Sequence, residues 1–441
     1  MKNLSVKLSQ IFNKNKLLVY LLLLGFLLRL FLSIQIYSGD VNNHIAWGYD
    51  IYNFGTQGVY SREFFSRYGT LPPTYPPIPL YLFTASYVIF ELAYKTSWSL
   101  NSSVQMFPSN LIFFFEDQDT LPAFLKLPGI FSDLLLAGVV YFFTKKILGS
   151  KDNKFPLIAS SLILFNPAFF YNSSFWGQIE SIPLSFLLLS IYLLLFSKRN
   201  FLSTLFFVLA IITKQTTIIF IPIFAIVFFK KHGMSKSIKS AIFSLLVFWL
   251  SFFPFFKEGN ILTFPFETYL NKIQTGSGSI FVTDHAFNFW ALTTGLGKIE
   301  DTQILYLLNF RTWGYIIFFV FLGIILINLI KAKSDRSVLL ALFLTSLAAF
   351  LFLTRMHERY LLQALPFLLL MGVKSRKLLW TFAFMSVFYF LNLYHNWWAP
   401  RIPVFVKLLS SNLFINTLIV ILMAVFFVYL IKYPKEIGGK K

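Results

Sequence analysis

Side chains that can act as acids or bases follow the first long apolar run of the sequence. Asp40 and His44 lie four residues apart, so they share a face if this segment is helical. A carboxylate at a membrane boundary is partly desolvated, and such a group can serve as a general base. An aspartate that follows a glycine is also a good helix N-cap. The spacing therefore predicts a base, a cap, or both roles for Asp40.

Further polar residues lie where later apolar runs begin. Lys126 and Asp133 are seven residues apart, hence on one helix face and about 10 Å apart. An acid two turns into a membrane helix needs a polar partner, so we predict that Asp133 forms a structural ion pair with a neighbouring helix. Gln178 and Glu180 do not suit a lipid-facing turn, and we expect them to point inward, to a substrate or a basic partner.

A proline-rich segment precedes another apolar run. Tyr75 is followed by Pro76 and Pro77, and proline is tolerated in the first turn of a helix. This pattern predicts a rigid entry to a helix. An alternative is that the segment also holds Tyr75 over a cavity.

Three cations lie away from the other basic residues, at the opposite ends of apolar runs. They are Lys214, Arg355 and Arg359, and His357 and Glu358 stand between the two arginines. A single cation there would suit snorkelling of its side chain to the interface. Three cations, with a histidine and a glutamate among them, predict a site for a lipid phosphate or pyrophosphate.

Several kinds of chemistry are disfavoured by the sequence. It contains no cysteine, which excludes disulfides, thiolate catalysis and cysteine-bound metal. Its acidic residues and histidines show no fixed ligand spacing, so we predict no metal site. The net charge of +20 is spread over short clusters between apolar runs, which is typical of membrane topology rather than nucleic-acid binding.

The elements that position these residues are predicted to be membrane-spanning helices. The 441 residues are 57% hydrophobic and 13% charged, which indicates an all-α polytopic membrane protein. Apolar runs of about 15 to 22 residues suit helices that cross a bilayer. Placing the basic clusters in the cytoplasm predicts about twelve crossings and cytoplasmic termini. The crossings are near 17–36, 126–147, 155–172, 179–197, 201–214, 215–230, 238–256, 312–331, 338–353, 360–373, 378–395 and 409–431.

The same topology predicts two long outer loops, 37–125 and 257–311. Loops of this length are usually functional. The apolar run 77–94 is placed inside the first loop as an interfacial or re-entrant helix, because a crossing there would turn every later lysine cluster outward. The first span contains Arg29 and is predicted to be retained rather than cleaved. We predict one integral-membrane domain, 1–441.

The polar segments share one predicted face of the membrane, opposite the lysine-rich loops. His285 and Asn288 in the second outer loop belong to this face as well. A protein that only filled lipid would not gather carboxylates, cations and aromatic residues at one interface. The distribution therefore predicts an enzyme that acts at the extracytoplasmic face of the cell membrane.

In this order, the segments resemble the GT-C superfamily of polyprenyl-phosphate-sugar glycosyltransferases. The resemblance is best to the bacterial and archaeal membrane mannosyltransferases related to the GPI mannosyltransferases. It is looser to the dolichyl-phosphate-glucose and protein O-mannosyltransferase groups. The matching segments are 39–40, 75–77, 126–128 with Asp133, 166–167, 176–178 with Glu180, 213–214, 286–290 and 356–360.

This resemblance implies a GT-C-like helix bundle and inverting transfer of a hexose, with mannose as the expected sugar, to an acceptor hydroxyl. The donor would be a polyprenyl-phosphate sugar, used without a metal or other cofactor, and the acceptor a glycan, glycolipid or protein. Asp40 would be the catalytic base. Several relatives carry two acids in this motif, whereas Val41 follows Asp40 here, so Asp40 would act alone or with His44.

The remaining site residues are expected to bind substrate. The resemblance implies that Lys214, Arg355 and Arg359 neutralise the departing phosphate. His357 and Glu358 would orient the arginines, and the amides and carboxylates would bind sugar hydroxyls. The predicted substrate-binding residues are His44, Tyr75, Gln178, Glu180, Lys214, His285, Asn288, Arg355, His357, Glu358 and Arg359.

Two other functions are weighed against a transferase. A carrier or flippase for a lipid-linked sugar would use the same cations without a base, but it needs a polar path through several helices. The inner halves of the predicted helices are almost wholly apolar, which disfavours transport. A structural subunit of a cell-envelope complex leaves Lys214, Arg355 and His357 unexplained. Membrane lipids, and not nucleic acid, are the other expected partners.

Overall fold

The computed structural model describes residues 15–149, 153–274, 279–373 and 375–437. The lysines of 1–14, 150–152, 374 and 438–441, which entered the topology prediction, lie outside the described residues, as do both chain ends. Within the described residues the structure is dominated by helices, which confirms the predicted all-α class.

The α-helices are numbered here in chain order. They are α1 (Lys16–Ser33), α2 (Gly39–Phe54), α3 (Phe64–Tyr68), α4 (Pro77–Ser103), α5 (Asn110–Glu116), α6 (Thr120–Leu148), α7 (Lys154–Leu164), α8 (Pro167–Phe170), α9 (Ser181–Phe196), α10 (Asn200–Ile211), α11 (Ile221–Phe252), α12 (Phe264–Glu267), α13 (Phe289–Thr294), α14 (Phe310–Lys331), α15 (Asp335–Phe352), α16 (Leu365–Gly372), α17 (Arg376–Trp397), α18 (Pro403–Leu409) and α19 (Asn412–Ile437).

Shorter elements connect these helices. Turns of 3-10 helix cover Val59–Ser61, Gln215–Phe220, Phe253–Phe255 and Glu358–Ala364, and π-helix covers Tyr171–Trp176 and Thr268–Gln274. Four two-residue strands are described: β1 (Thr283–Asp284), β2 (Ile304–Leu305), β3 (Leu308–Asn309) and β4 (Met356–His357). β1 pairs in parallel with β4, and β2 pairs antiparallel with β3.

Eight helical segments of the described chain are long and apolar enough to cross a membrane. A ninth is present if Lys154–Leu164 and Pro167–Trp176, which meet at 41°, form one bent span. The protein is therefore a multi-pass membrane protein. The eight segments are Lys16–Ser33, Pro77–Ser103, Thr120–Leu148, Gln215–Phe255, Phe310–Lys331, Asp335–Phe352, Arg376–Trp397 and Asn412–Pro434.

The predicted number of crossings, about twelve, is not confirmed by this count. The predicted spans 179–197 and 201–214 correspond to α9 and α10, which have only 16 and 12 residues. The predicted spans 215–230 and 238–256 lie in one helical segment, interrupted at Gly233 with a φ of 77° and a ψ of 176°. The predicted span 360–373 begins as a 3-10 turn and continues in α16, which has 8 residues.

The described chain separates into two compact units. Unit 1 consists of the described residues within 1–189 and 249–272, and unit 2 of those within 190–248 and 273–441. The single domain expected from the sequence stays a prediction.

A buried ion pair joins three helices of unit 1. Arg29 Nε of α1 donates to Asp133 Oδ2 of α6 at 2.8 Å, and both side chains are fully buried. The guanidinium also donates to the Leu164 carbonyl at the end of α7, at 2.7 Å. The hydroxyls of Ser173 and Ser181 donate to the same carboxylate. The predicted ion pair of Asp133 with a neighbouring helix is confirmed, and its partner is Arg29.

In unit 2, α15 is the central helix, because almost all its side chains are buried. It packs against α14, α16 and α19. After α15 the chain turns at Arg355, which has a φ of 60°, and enters β4. This turn brings residues 355–360 beside β1, where the second group of predicted site residues lies.

Candidate active-site clusters

Asp40 lies in the first turn of α2 in unit 1 and is half-buried. Trp176 Nε1 donates to Asp40 Oδ2 at 3.1 Å, and Gln178 Nε2 donates to the same oxygen. Ser38, the residue that precedes α2, does not cap the helix with its side chain. Its hydroxyl donates to the Trp176 carbonyl at 2.8 Å. Asp40 is therefore a carboxylate at a helix start whose orientation is set by an indole and an amide.

Gly177 allows Trp176 and Gln178 to reach Asp40 together. Its φ is +85°, in the left-handed region that favours glycine. A Cβ at this position would lie 2.4 Å from Val41 Cγ2, closer than any real contact. The Trp-Gly-Gln segment therefore fits against α2 only because its central residue has no side chain.

Lys126 holds the end of α1 beside this segment. Its Nζ donates to the carbonyls of Ser33 at 2.7 Å, Ile36 at 2.5 Å and Ser174 at 2.9 Å, and the side chain is buried. Three carbonyls occupy the three N–H groups of the ammonium. Lys126 therefore has a structural role, joining the end of α1 to the turn before Trp176.

His44 and Tyr75 lie in an aromatic cluster. The His44 ring stacks on Phe83 with centroids 4.1 Å apart, and it also contacts Trp47 and Tyr75. Both side chains are buried. Asp40 and His44 share α2, as predicted, but their described contacts are with different neighbours. The substrate-binding roles of His44 and Tyr75 stay predictions.

Glu180 points inward, as the sequence predicts, and is fully buried. It accepts a hydrogen bond from Asn172 Nδ2 at 3.4 Å, in the π-helical turn before Trp176. Its described partner is thus an amide of the same segment.

In unit 2, a carboxylate joins two histidines across the paired strands β1 and β4. Asp284 Oδ1 lies 2.9 Å from His285 Nδ1, and Asp284 Oδ2 lies 3.3 Å from His357 Nδ1. Burial raises the pKa of Asp284, but the hydrogen bond from His285 and the charges of His357 and Arg359 outweigh it and lower that pKa well below its usual range. The bond to Asp284 also raises the pKa of His285.

Lys214 and Arg359 converge on one ring. Lys214 Nζ lies 5.3 Å from the Tyr360 ring centroid, and Arg359 Cζ lies 5.7 Å from it. The His357 ring meets the same Tyr360 ring edge-on at 5.2 Å. Lys214 is fully buried. Unit 2 therefore brings two of the predicted cations together with a histidine and an aromatic ring, and their binding of a phosphate stays a prediction.

The carboxylate of Glu358 binds Arg359. Its Oε1 accepts from Arg359 Nη1 at 3.0 Å, and the glutamate side chain is fully buried. Burial raises the pKa of Glu358, and the Arg359 charge opposes that shift. The geometry agrees with the expectation that Glu358 orients Arg359.

Arg355 pairs with Asp301, and not with His357 or Glu358, which the sequence analysis expects to orient it. Its Nε and Nη2 donate to the two oxygens of Asp301, at 2.8 and 3.0 Å. Arg311 makes a second bidentate pair with the same carboxylate, and the Thr354 hydroxyl also donates to it. Asp301 is fully buried, and the pairs with both arginines lower its pKa against the effect of burial. We therefore exclude Arg355 from the proposed phosphate site.

Asn288 and His285 lie in the turn before α13, and side-chain hydrogen bonds hold this turn in place. The Asn288 side chain caps α13 by accepting from Ala291 N, and it donates to the Phe350 carbonyl at 3.2 Å. Because these bonds engage both ends of a fully buried amide, we leave Asn288 out of the sugar-binding set. Asn392 of α17 holds the same turn, donating to the His285 carbonyl at 2.7 Å.

The sequence reasoning missed the three residues that complete these contacts: Asp284, Asp301 and Arg311. Asp284 adjoins His285, which was a usable signal. For Asp301 the signal was weaker, because only a need for a partner near outward cations pointed to it. Among the described residues, no group of three or more histidines and acids is placed to hold a metal ion.

Comparison with known proteins adds one match. The model of the ALG6, ALG8 glycosyltransferase family matches residues 75–432. That range contains Trp176, Gln178 and every unit 2 residue discussed above, and it begins after Asp40. A search of curated proteins found no match.

Proposed function

Because the chain belongs to the ALG6, ALG8 glycosyltransferase family, it is a GT-C-type glycosyltransferase, and we propose that Asp40 is its catalytic base. The donor in this proposal is a hexose, with mannose as the first choice, on a polyprenyl phosphate. The acceptor is a hydroxyl group of a lipid-linked glycan. Membership of a transferase family decides against the carrier and the structural subunit considered above.

In the proposed reaction, Asp40 accepts the proton of the acceptor hydroxyl as its oxygen attacks the anomeric carbon. A new glycosidic bond forms with inversion, while the bond from the anomeric carbon to the phosphate oxygen breaks. Polyprenyl phosphate leaves with the electron pair of that bond. The observation that carries this role is the pair of donors, Trp176 and Gln178, that orient one oxygen of Asp40.

The departing phosphate gains negative charge and needs cations that are already in position. We assign this role to Lys214 and Arg359, which converge on the Tyr360 ring. Preorganised charges of this kind stabilise a transition state without reorganisation. Asp284 binds His357 Nδ1 and thereby orients the imidazole, which we assign to hydrogen bonding of the donor sugar or phosphate.

The proposal is tested by sugar transfer with purified protein in lipid. The donors are radiolabelled polyprenyl-phosphate mannose, glucose and galactose, and the acceptors are lipid-linked glycans from membrane extracts. A positioned general base contributes about 100- to 10,000-fold to rate. We therefore expect Asp40→Asn to lower kcat at least about 100-fold, with donor affinity unchanged.

Glu63→Gln is the matched control, because Glu63 is an exposed acid of the same unit. It should transfer sugar at the wild-type rate. Wild-type activity in Asp40→Asn would overturn the assignment of the base. A wild-type preference for glucose or galactose would correct the donor sugar and leave the role of Asp40 intact.

A further inference from the structure

A basic cavity of about 390 Å³ lies in unit 2 where α14 ends and α15 begins. Its lining includes four lysines, Lys230 and Lys231 of α11 and Lys331 and Lys333 of the α14–α15 connection, with one acid, Asp335. The cavity therefore has a net positive charge, which suits an anion.

The four lysines differ in what they offer to a ligand. Lys230 Nζ donates to the carbonyls of Leu329, Ile330 and Ala332, so its three N–H groups are engaged and only its charge acts on the cavity. Lys231 Nζ donates to the Leu195 carbonyl at 2.8 Å and lies 3.5 Å from Asp335.

Lys331 and Lys333 are the two lysines with hydrogen-bonding capacity to spare. Both are exposed, and within the described residues their side chains form no hydrogen bond or ion pair. The start of α15 lies at the same cavity, since Ser334 and Asp335 line it. The N-terminus of an 18-residue helix adds a favourable dipole for negative charge.

The position of the cavity indicates what kind of anion it receives. Lys331 is the last residue of α14, a candidate membrane span, so the cavity lies at the depth of lipid headgroups. Ile330 lines the cavity and is 57% exposed, and Ile327 on the preceding turn is 55% exposed. An apolar, lipid-facing surface thus continues directly into a basic cavity.

We propose that this cavity binds the phosphate group of an anionic phospholipid, with the acyl chains along the exposed face of α14. Membrane topology alone requires basic residues in a loop, but it does not require them around a cavity. The proposed site lies at the other end of α14 from the Asp301 pairs, which link the start of that helix to the turn before β4. Arg311, which shares Asp301 with Arg355, lies at the other end of α14, about 30 Å away at 1.5 Å per residue.

The test measures lipid binding to the full chain by native mass spectrometry in a neutral detergent. Wild-type protein is titrated with dioleoyl-phosphatidylglycerol, dioleoyl-phosphatidylcholine or inorganic phosphate. We expect one phosphatidylglycerol to bind more tightly than phosphatidylcholine. Each lysine near an anionic lipid contributes about 1 kcal/mol, so the double variant Lys331→Gln/Lys333→Gln should bind phosphatidylglycerol about 30-fold more weakly.

Lys236→Gln/Lys239→Gln is the matched control, because it removes two exposed lysines of α11 that do not line this cavity. It should bind phosphatidylglycerol with wild-type affinity. Equal affinity for phosphatidylglycerol in wild type and the cavity variant would overturn the site. Equal wild-type affinity for the two lipids, or tighter binding of inorganic phosphate than of either, would overturn the assignment to an anionic lipid. The readout does not depend on sugar transfer, so it stands apart from the proposed function.

Discussion

At the scale of single residues, the proposed donor site depends on where two cations are fixed. Lys214 is buried and faces the Tyr360 ring, whereas an ordinary exposed lysine would be solvated and mobile. A buried charge interacts more strongly with another charge than an exposed one does, because water screens the interaction less. An ion held in this way can bind a phosphate without first being ordered.

Replacing Lys214 with glutamine is expected to weaken donor binding. Hydrogen bonds to charged groups contribute about 1.5 to 3 kcal/mol, so the donor Kd should rise about 10- to 100-fold, while the KM for the acceptor changes little. Equilibrium binding of a labelled polyprenyl-phosphate sugar measures the effect. Lys298→Gln removes an exposed lysine of the same unit and should bind donor as wild type does. An unchanged donor Kd in Lys214→Gln, with the fold intact by circular dichroism, would remove Lys214 from the site.

Residue types were easier to predict than residue partners. Cations at lipid depth are unusual, and this property groups Lys214 and Arg359 with the neighbouring His357 and Glu358. Unit 2 brings these residues together. Arg355 was grouped by the same reasoning, yet Asp301 binds it. Arg355 and Asp301 are 54 residues apart in the sequence, so their pairing depends on how the segment 279–311 folds back. Single-residue chemistry carries no information about that return path.

At the scale of elements, the short segment 176–178 positions the proposed base, and its glycine is the sensitive point. Gly177→Ala would adopt a left-handed conformation that costs roughly 1 to 2 kcal/mol for a residue with a Cβ. Its methyl group would also collide with Val41. Relief of that collision would move Trp176 and Gln178 away from Asp40, so we expect lower kcat and a lower melting temperature.

Two further variants separate these effects. Gly323→Ala in α14 meets no atom within 4 Å and should leave activity unchanged. Combining Gly177→Ala with Val41→Ala removes the collision but keeps the backbone strain, so part of the kcat should return. Wild-type kcat in Gly177→Ala alone would contradict the positioning role of this segment.

Asp301 holds another segment, the connection from β2 and β3 into α14. Its carboxylate accepts from Arg311, Thr354 and Arg355, so it links the start of α14 to the turn after α15. Removing one partner of a fully buried pair costs about 3 to 5 kcal/mol. Both arginines are partly exposed, with side chains 35% and 22% accessible, so we expect a smaller loss for Asp301→Asn.

The melting temperature checks this expectation, with the adjacent Glu300→Gln as control because Glu300 is exposed. Asp301→Asn should melt several degrees below wild type, and the control should not. Because the turn after α15 leads into β4, donor binding should weaken as well. Equal melting temperatures for both variants and wild type would show that the carboxylate does not hold the turn.

Element types could be predicted because apolar runs of sufficient length form helices, but their breaks were harder to place. The run 155–172 was predicted as one span, whereas the chain bends by 41° between α7 and α8. Pro167 cannot continue the α7 hydrogen bonds, and Asn166 caps the new helix through Ala168 N. The Asn-Pro pair was visible in the sequence as a turn signal. The prediction of one span rests on the length of the apolar run, which the Asn-Pro pair does not interrupt.

At the scale of the whole molecule, unit 1 itself constrains the topology. Lys126, in the second turn of α6, binds the carbonyls of Ser33 and Ile36 at the end of α1. The end of α1 and the start of α6 therefore lie at one face of the membrane. A chain that leaves one helix and enters the next at the same face crosses the membrane an even number of times between them.

This parity bears on α4, which is long and apolar enough to span. The only other long helix between α1 and α6 is α2, which has 16 residues and carries Asp40, His44 and Asp50, so it is poorly suited to cross. A single crossing by α4 would break the parity. It would also turn Lys145 and Lys146, at the far end of α6, to the outer face against the positive-inside rule.

We therefore predict that both ends of α4 lie on one side of the membrane, as an interfacial or re-entrant helix requires. The chain contains no cysteine, so single cysteines report without background. Exposed positions flank the helix, and Ser66→Cys and Gln105→Cys should react with an impermeant maleimide from the same side of sealed vesicles. Lys146→Cys, at the other end of α6, should react only after the vesicles are opened. Labelling of Ser66→Cys and Gln105→Cys from opposite sides would make α4 a crossing, and then α2 would have to cross too, because the bonds of Lys126 keep α1 and α6 in register.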